Sequence, residues 1–262
     1  MLSKNHKNYL KKIRNQKILI NLIRVLLVIL FLIGWQLLID FNILNSFILS
    51  SPLNILETFI SLYKSNNLFG HIGITVYETL ISFLLATFIG ILVASILWLN
   101  SFIAKIFDPF LTVLNSLPKV SLGPIIIIWF GANTNSIIVM ALLISTITSI
   151  ISIYQGFKEV PLNKITLMKS LGANKFQIFF KLILPANYSN IISILKINIS
   201  MCLIGVIMGE LLVSKKGIGY LIMYGSQVFN LDLVMTGIIL LAIISVIIYY
   251  AILFLEKKLI KN

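Results

Sequence analysis

The sequence predicts an all-α, polytopic membrane protein with about six transmembrane helices. Three observations carry this prediction. Apolar residues make up 59% of the 262-residue chain, charged residues only 11%, and the mean hydropathy is +1.03; a soluble domain holds about 25% charged residues. The apolar residues fall into runs long enough for a bilayer core, which needs roughly 20 residues per helix. The charges are segregated, gathering near the chain ends and in the stretch 158–185.

The first run covers 18–39 and follows a Lys-rich segment, Lys4 to Lys17. It is longer than a signal-peptide core and no A-x-A pattern follows, so it is expected to be an uncleaved span. In SSPLNILETFISLY, Ser51 before Pro52 has the form of an N-cap with proline at the first helical position, which predicts a short packing helix along the outer surface. Further runs cover 75–99, 108–131, 136–157, 188–213 and 233–255. Pro118, Gly123 and Pro124 interrupt the third; backbone groups freed there must be buried against protein or face a wet cavity. The expected organisation is an N-terminal segment with first span and surface helix (1–70), a transmembrane domain (71–256) and a short tail (257–262).

Outside the spans, fifteen Lys and Arg residues fall on one side and three (Lys64, Lys215, Lys216) on the other. Positive charge marks the cytoplasmic side, so both termini are expected in the cytoplasm of a cell-membrane protein. The formal charge of +13 is thus explained by the anionic leaflet, not by nucleic acid. The single cysteine, Cys202, excludes an internal disulfide.

Stretch 158–185 is long for a connection between spans. Leu162, Ile165, Met168 and Leu171 recur every third residue, predicting a short amphipathic helix opening after Pro161. Gly172 stands where a helix ends in a left-handed residue. Phe176, Phe179, Phe180 and Ile183 then fall at i, i+3, i+4 and i+7, predicting a second helix stopped or bent by Pro185. Such a hinged pair suits either a basic element resting on anionic headgroups or a docking element for a cytosolic protein.

MKSLGANKFQIFFKLILPA resembles the EAA loop of ABC-importer permeases. Gly172 matches the glycine of that motif, and Ile183, Leu184 and Pro185 match its close. Thr166, Leu167 and Met168 stand where Glu-Ala-Ala would be. SSPLNILETF, LPKVSLGPIIIIWFG and GELLVSKKGIGYLI resemble, in order, segments of the nitrate/taurine/aliphatic-sulfonate branch, so the likeness covers roughly Leu49 to Glu256. It implies a type I, MetI-like permease fold and a subunit with no catalytic group or cofactor of its own. The implied partners are cytosolic ATPase subunits that bind ATP, a second permease subunit (a homodimer) and an extracellular substrate-binding protein. Thr166, Leu167, Met168, Leu171 and Gly172 would then form the ATPase-coupling loop together with Ala173, Phe176, Ile183 and Pro185. The branch carries nitrate, taurine and sulfonates, and also thiamine-precursor pyrimidines.

A charge at the bilayer centre costs about 2.5–3.5 kcal/mol on insertion scales, so those within spans should face protein or water. Lys119, beside the break in the third span with Ser121, is a candidate for the translocation pathway that would favour an anion; snorkelling is its alternative. Glu210 is a pathway candidate or the partner of Lys215. Glu78 is expected at an interface, and Lys196 is expected to snorkel. Gly205 and Gly209 permit close helix approach within the chain or across a dimer. Gly217 and Gly219 read as an outer turn, and Trp35, Trp98 and Trp129 as an aromatic belt. Neither a phosphate-binding G-x-x-x-x-G-K-[ST] loop nor an H-E-x-x-H pattern occurs. A passive channel, a secondary transporter and a membrane scaffold are the rival readings; the spans hold too few ionisable groups for ion coupling, and a passive pore has no use for a coupling lever.

Overall fold

A computed structural model of the protein describes the backbone of residues 4–65 and 67–260, and the side chains of 13–65, 67–254 and 256. Among the described residues there are helices and turns but no strand. The chain opens with α1 (Lys4–Asp40), α2 (Ser46–Leu49), α3 (Pro52–Lys64) and α4 (Leu68–Leu99). Next come α5 (Ser101–Ser116), a 3-10 turn (Lys119–Leu122), α6 (Gly123–Phe130) and α7 (Thr134–Lys158). The following connection holds α8 (Leu162–Ser170), α9 (Lys175–Ile178), a π turn (Phe179–Ile183) and α10 (Leu184–Ala186). It leads into α11 (Tyr188–Val213), α12 (Ile218–Gln227) and α13 (Leu231–Ile260).

Among the described residues, five helices are long and apolar enough to cross a membrane: Ile13–Asp40 within α1, then α4, α7, α11 and Leu231–Phe254 within α13. The third expected span is a bent pair, Ser101–Ser116 with Lys119–Phe130, meeting at 87°. Prolines set that bend. Leu117, before Pro118, is extended, as the residue before a proline must be, and Pro124 restarts the helix where no N–H is needed. The expected tail is helical through Ile260; Lys261 and Asn262 lie outside the described residues, as do the side chains of Lys4, Lys7, Lys11, Lys12, Lys257 and Lys258.

Small residues bring α4 and α11 onto α7. A Cβ on Gly90 would lie 2.8 Å from that of Ser149, and one on Gly209 would lie 3.0 Å from Ile137 Cα. Gly205 sits directly on the Ala141 backbone. The Gly205/Gly209 pair therefore acts within the chain. Cys202 is fully buried.

At the end of the bundle away from the 158–187 connection, α3 starts on a Ser51 cap whose Oγ accepts from the Asn54 N–H at 3.1 Å. Ser50 Oγ donates to Asp232 at 2.6 Å, and Thr236 Oγ1 to Ile55 O at 3.4 Å, tying this helix to α13. Below we call this end the far end, and the opposite one the loop end.

Candidate functional site

At the loop end, α8 closes as a helix with a left-handed glycine should. The Gly172 N–H donates to Lys169 O (2.9 Å) and the Ala173 N–H to Met168 O (3.0 Å), with Gly172 at φ +81°. Asn174 then opens α9 through a reciprocal cap: its Oδ1 accepts from the Gln177 N–H, and Gln177 Oε1 accepts from the Asn174 N–H, both at 2.8 Å. The turn between the two helices is thus held by four directional bonds.

Beneath it lies an aromatic knot. Phe157, Ile178, Phe179 and Ile183 are buried together with Ala94, Ile153, Val160 and Ile194, so α4, α7, α9 and α11 share one cluster. Phe179 is its hub, with its ring 5.4 Å from both Phe157 and Trp98. Trp98, expected in an aromatic belt, is instead a wall of this cluster. Ile165, Met168 and Ala173 of the loop pack on the same knot. A second weld joins Gly156 of α7 to Asn187, whose Oδ1 would lie 2.9 Å from a Cβ at Gly156.

Three expectations for the loop are corrected. Leu162, Ile165, Met168 and Leu171 do not share a face: only Ile165 and Met168 pack inward. At about 100° per residue, a period of three drifts about 60° per step, which sets Leu162 and Leu171 on opposite sides. Nor do Phe176, Phe179, Phe180 and Ile183 form one buried stripe. Phe179 and Ile183 are buried, while Phe176 and Phe180 are exposed; each pair is four residues apart, and the two pairs lie about 60° apart around the helix. Pro185 does not stop the chain; it sits in the first turn of α10, where a missing N–H costs nothing. The outward surface therefore carries Leu162 (78% exposed), Leu167 (61%), Leu171 (75%), Phe176 (63%) and Phe180 (59%). Thr166 is exposed there too, its hydroxyl turned back onto Leu162 O at 2.9 Å.

At the break in the third span, Lys119 Nζ donates to Asn115 O (3.2 Å) and Asn115 Oδ1 (3.3 Å). It thereby satisfies a carbonyl orphaned at the end of α5, where a cation also suits the helix dipole. Ser121 is exposed beside it, its hydroxyl donating to Pro118 O at 2.7 Å. Glu210 is not with them. It lies at the far end, 1% exposed, accepting from Thr75 Oγ1 (2.6 Å) and the Gly219 N–H (2.6 Å) rather than pairing with Lys215. A Cβ at Gly217 would collide with its carboxylate, which explains the glycine.

Glu78, expected at an interface, is instead fully buried beside Glu210. Lys196, expected to snorkel, pairs with Glu256 at 3.0 Å across α11 and α13. His71, Thr75 and Glu78 were missed as a group. Their signal was in the sequence: with Ser82 they fall at spacings of four, three and four, one face of α4.

Known proteins similar to this chain include the following three. A Bacillus subtilis permease named for aliphatic sulfonates transport, SsuC, is 28% identical over 227 residues, 87% of this chain and 82% of its own. The formylaminopyrimidine transport permease protein ThiX of Halalkalibacterium halodurans is 28% identical over 174 residues, 66% of this chain and 69% of its own. In a crystal structure of a bacterial ABC transporter involved in the import of the acidic polysaccharide alginate, one chain shares the fold. Its TM-score is 0.65 at 14% identity, over 96% of this chain and 99% of that one. The chain belongs to the family of binding-protein-dependent transport system inner membrane components, the permease subunits of ABC importers, which it matches over residues 86–261.

Proposed function

We propose that this chain and a second copy of it form the translocation pathway of an ATP-driven importer, moved by cytosolic ATPases through the 158–185 loop. One observation carries the coupling role. The loop presents Leu162, Leu167, Leu171, Phe176 and Phe180 outward from a base that cannot yield, the Phe157–Phe179–Trp98 knot. An element that only rests on headgroups needs no such anchor; a lever between two states does. Lys164, Lys169, Lys175 and Lys181 are exposed along the same stretch and suit an acidic rim on the ATPase.

On this reading the loop and both termini are cytoplasmic, as the distribution of basic residues supports. The far end receives substrate from an extracellular binding protein, and ATP is bound and hydrolysed only by the partner. A second permease subunit covers the bent α5–α6 pair, whose Val113, Leu117 and Ile128 are exposed in the single chain and whose broken backbone cannot face lipid. Alternating access then follows from two coupling loops moving together.

For the substrate we propose a small organic or inorganic anion of the sulfonate, taurine or nitrate kind, met by Lys119 and Ser121 at the break. The likeness to SsuC supports this. The likeness to ThiX favours a second reading, a thiamine-precursor pyrimidine. Reconstitution with the ATPase and binding protein separates the readings: ATP-dependent uptake of labelled taurine or alkanesulfonate supports the first, uptake of the pyrimidine alone the second. Uptake without ATP would indicate a channel or secondary carrier and overturn the proposal.

A further inference from the structure

We propose that Glu78 and Glu210 together bind a single proton, held between their carboxyl groups, and that this proton fastens α4 to α11 and α12 at the far end. The site is made by packing, independently of any substrate. Thr75, Glu78 and Ser82 on α4 are each 0% exposed, and Glu210 on α11 is 1% exposed. Glu210 is fully served as an acceptor: Thr75 Oγ1 donates to Oε1, the Gly219 N–H to Oε2, and the Ile218 N–H in turn to Thr75 Oγ1 at 2.9 Å.

Glu78 has no such support. Its carboxyl faces that of Glu210 and the hydroxyl of Thr134, and neither of its oxygens has a formed hydrogen bond among the described residues. Ser82 Oγ, one turn along the same face, is likewise buried without a partner. Two carboxylates cannot hydrogen-bond to each other, and two like charges buried side by side repel strongly. One proton removes both difficulties. A protonated Glu78 donates O–H to the Glu210 carboxylate, the acceptor that Thr75 and Gly219 already orient.

No base takes that proton's place. The nearby titratable groups are His71 on α4 and Lys215 and Lys216 before α12. His71 is committed elsewhere: its Nδ1 accepts from the Gly217 N–H at 3.0 Å, and its ring stacks on Tyr220 at 5.9 Å. Lys215 and Lys216 line an adjoining cavity of about 270 Å³ with Thr134 and Ser214, and neither pairs with a carboxylate among the described residues. A metal ion fits less well, because both Glu210 oxygens already accept hydrogen bonds and no group of three His, Cys, Asp or Glu converges among the described residues.

Infrared spectroscopy of the full chain in lipid vesicles at neutral pH tests the site. The wild type is expected to show a protonated-carboxyl C=O band that shifts in D₂O and is lost in Glu78→Gln. Glu78→Gln keeps a donor toward Glu210 and is expected to retain the wild-type melting temperature; Glu78→Leu removes the donor and should lower it. The proposal is overturned if the wild type lacks the band, or if the band survives in Glu78→Gln and in Glu210→Gln alike. It is also overturned if Glu78→Gln melts as low as Glu78→Leu, or if Na⁺ or Ca²⁺ raises the melting temperature of the wild type but not of Glu78→Gln.

Discussion

Gly172 offers a clean test of coupling, because the space around it is empty. A Cβ there meets no atom within 4 Å, yet the residue sits at φ +81°. Any effect of substitution is therefore backbone strain at the turn, not a clash. An L-residue in the left-handed region costs about 1–2 kcal/mol, a factor of roughly 5–30 in the population of the native turn. A β-branched side chain costs more, and asparagine less. Losing the left-handed residue also frees Lys169 O and Met168 O, the acceptors that close α8. Uptake driven by ATP in vesicles containing the ATPase and binding protein should therefore fall in the order glycine, asparagine, alanine, valine. Gly172→Val should abolish it while inserting normally, since the buried residues of the Phe179 knot and the spans lie outside the turn. Wild-type uptake by a well-inserted Gly172→Val protein would refute the lever role of the loop.

Three other outcomes follow from the same geometry. Phe179→Ala empties the hub of the knot and should cost about 3–5 kcal/mol, read as a lower thermal midpoint in detergent, whereas Phe176→Ala should leave that midpoint unchanged and weaken ATPase association in pull-down. Gly209→Val drives a Cβ toward the Ile137 backbone, at 3.0 Å; it should cost on the order of 1–3 kcal/mol or more and broaden the size-exclusion profile. Lys119→Met removes a helix-end contact worth about 0.3–1 kcal/mol, so the fold should survive. Uptake of an anionic substrate should nevertheless fall and be restored by Lys119→Arg; unchanged uptake would remove Lys119 from the pathway.

Spans were the most legible part of the chain, because burying a helical backbone in lipid demands about 20 apolar residues whatever the tertiary contacts. Even the 87° bend was announced by Pro118 and Pro124. Gly172 was legible for a related reason: left-handed backbone is nearly reserved for glycine. The faces of α8 and α9 were not. A periodicity of three read as a stripe of four, and the offset of about 60° between the Phe176/Phe180 and Phe179/Ile183 pairs is too small for the pattern alone to say which pair is buried. Glu78 was misplaced because its distance from the span end suggested an interface. Its burial depends on Thr75, Glu210 and Gly219 meeting across three helices, a convergence that only tertiary packing decides.

The glycine contacts of α7 and α11 have a mechanical consequence. With 25 residues, α7 is about 37 Å long, and α11 touches it backbone to backbone at Ala141 and Ile137. No layer of flexible side chains lies between them there to absorb a displacement. The two helices form one stiff strut whose ends are the aromatic knot and the Glu210 staple. On the proposed function, a push on the 158–185 loop reaches the far end as rigid tilt. On the same reading, the compliance that transport requires resides outside the strut, at the bent α5–α6 pair and in a seam with a second subunit.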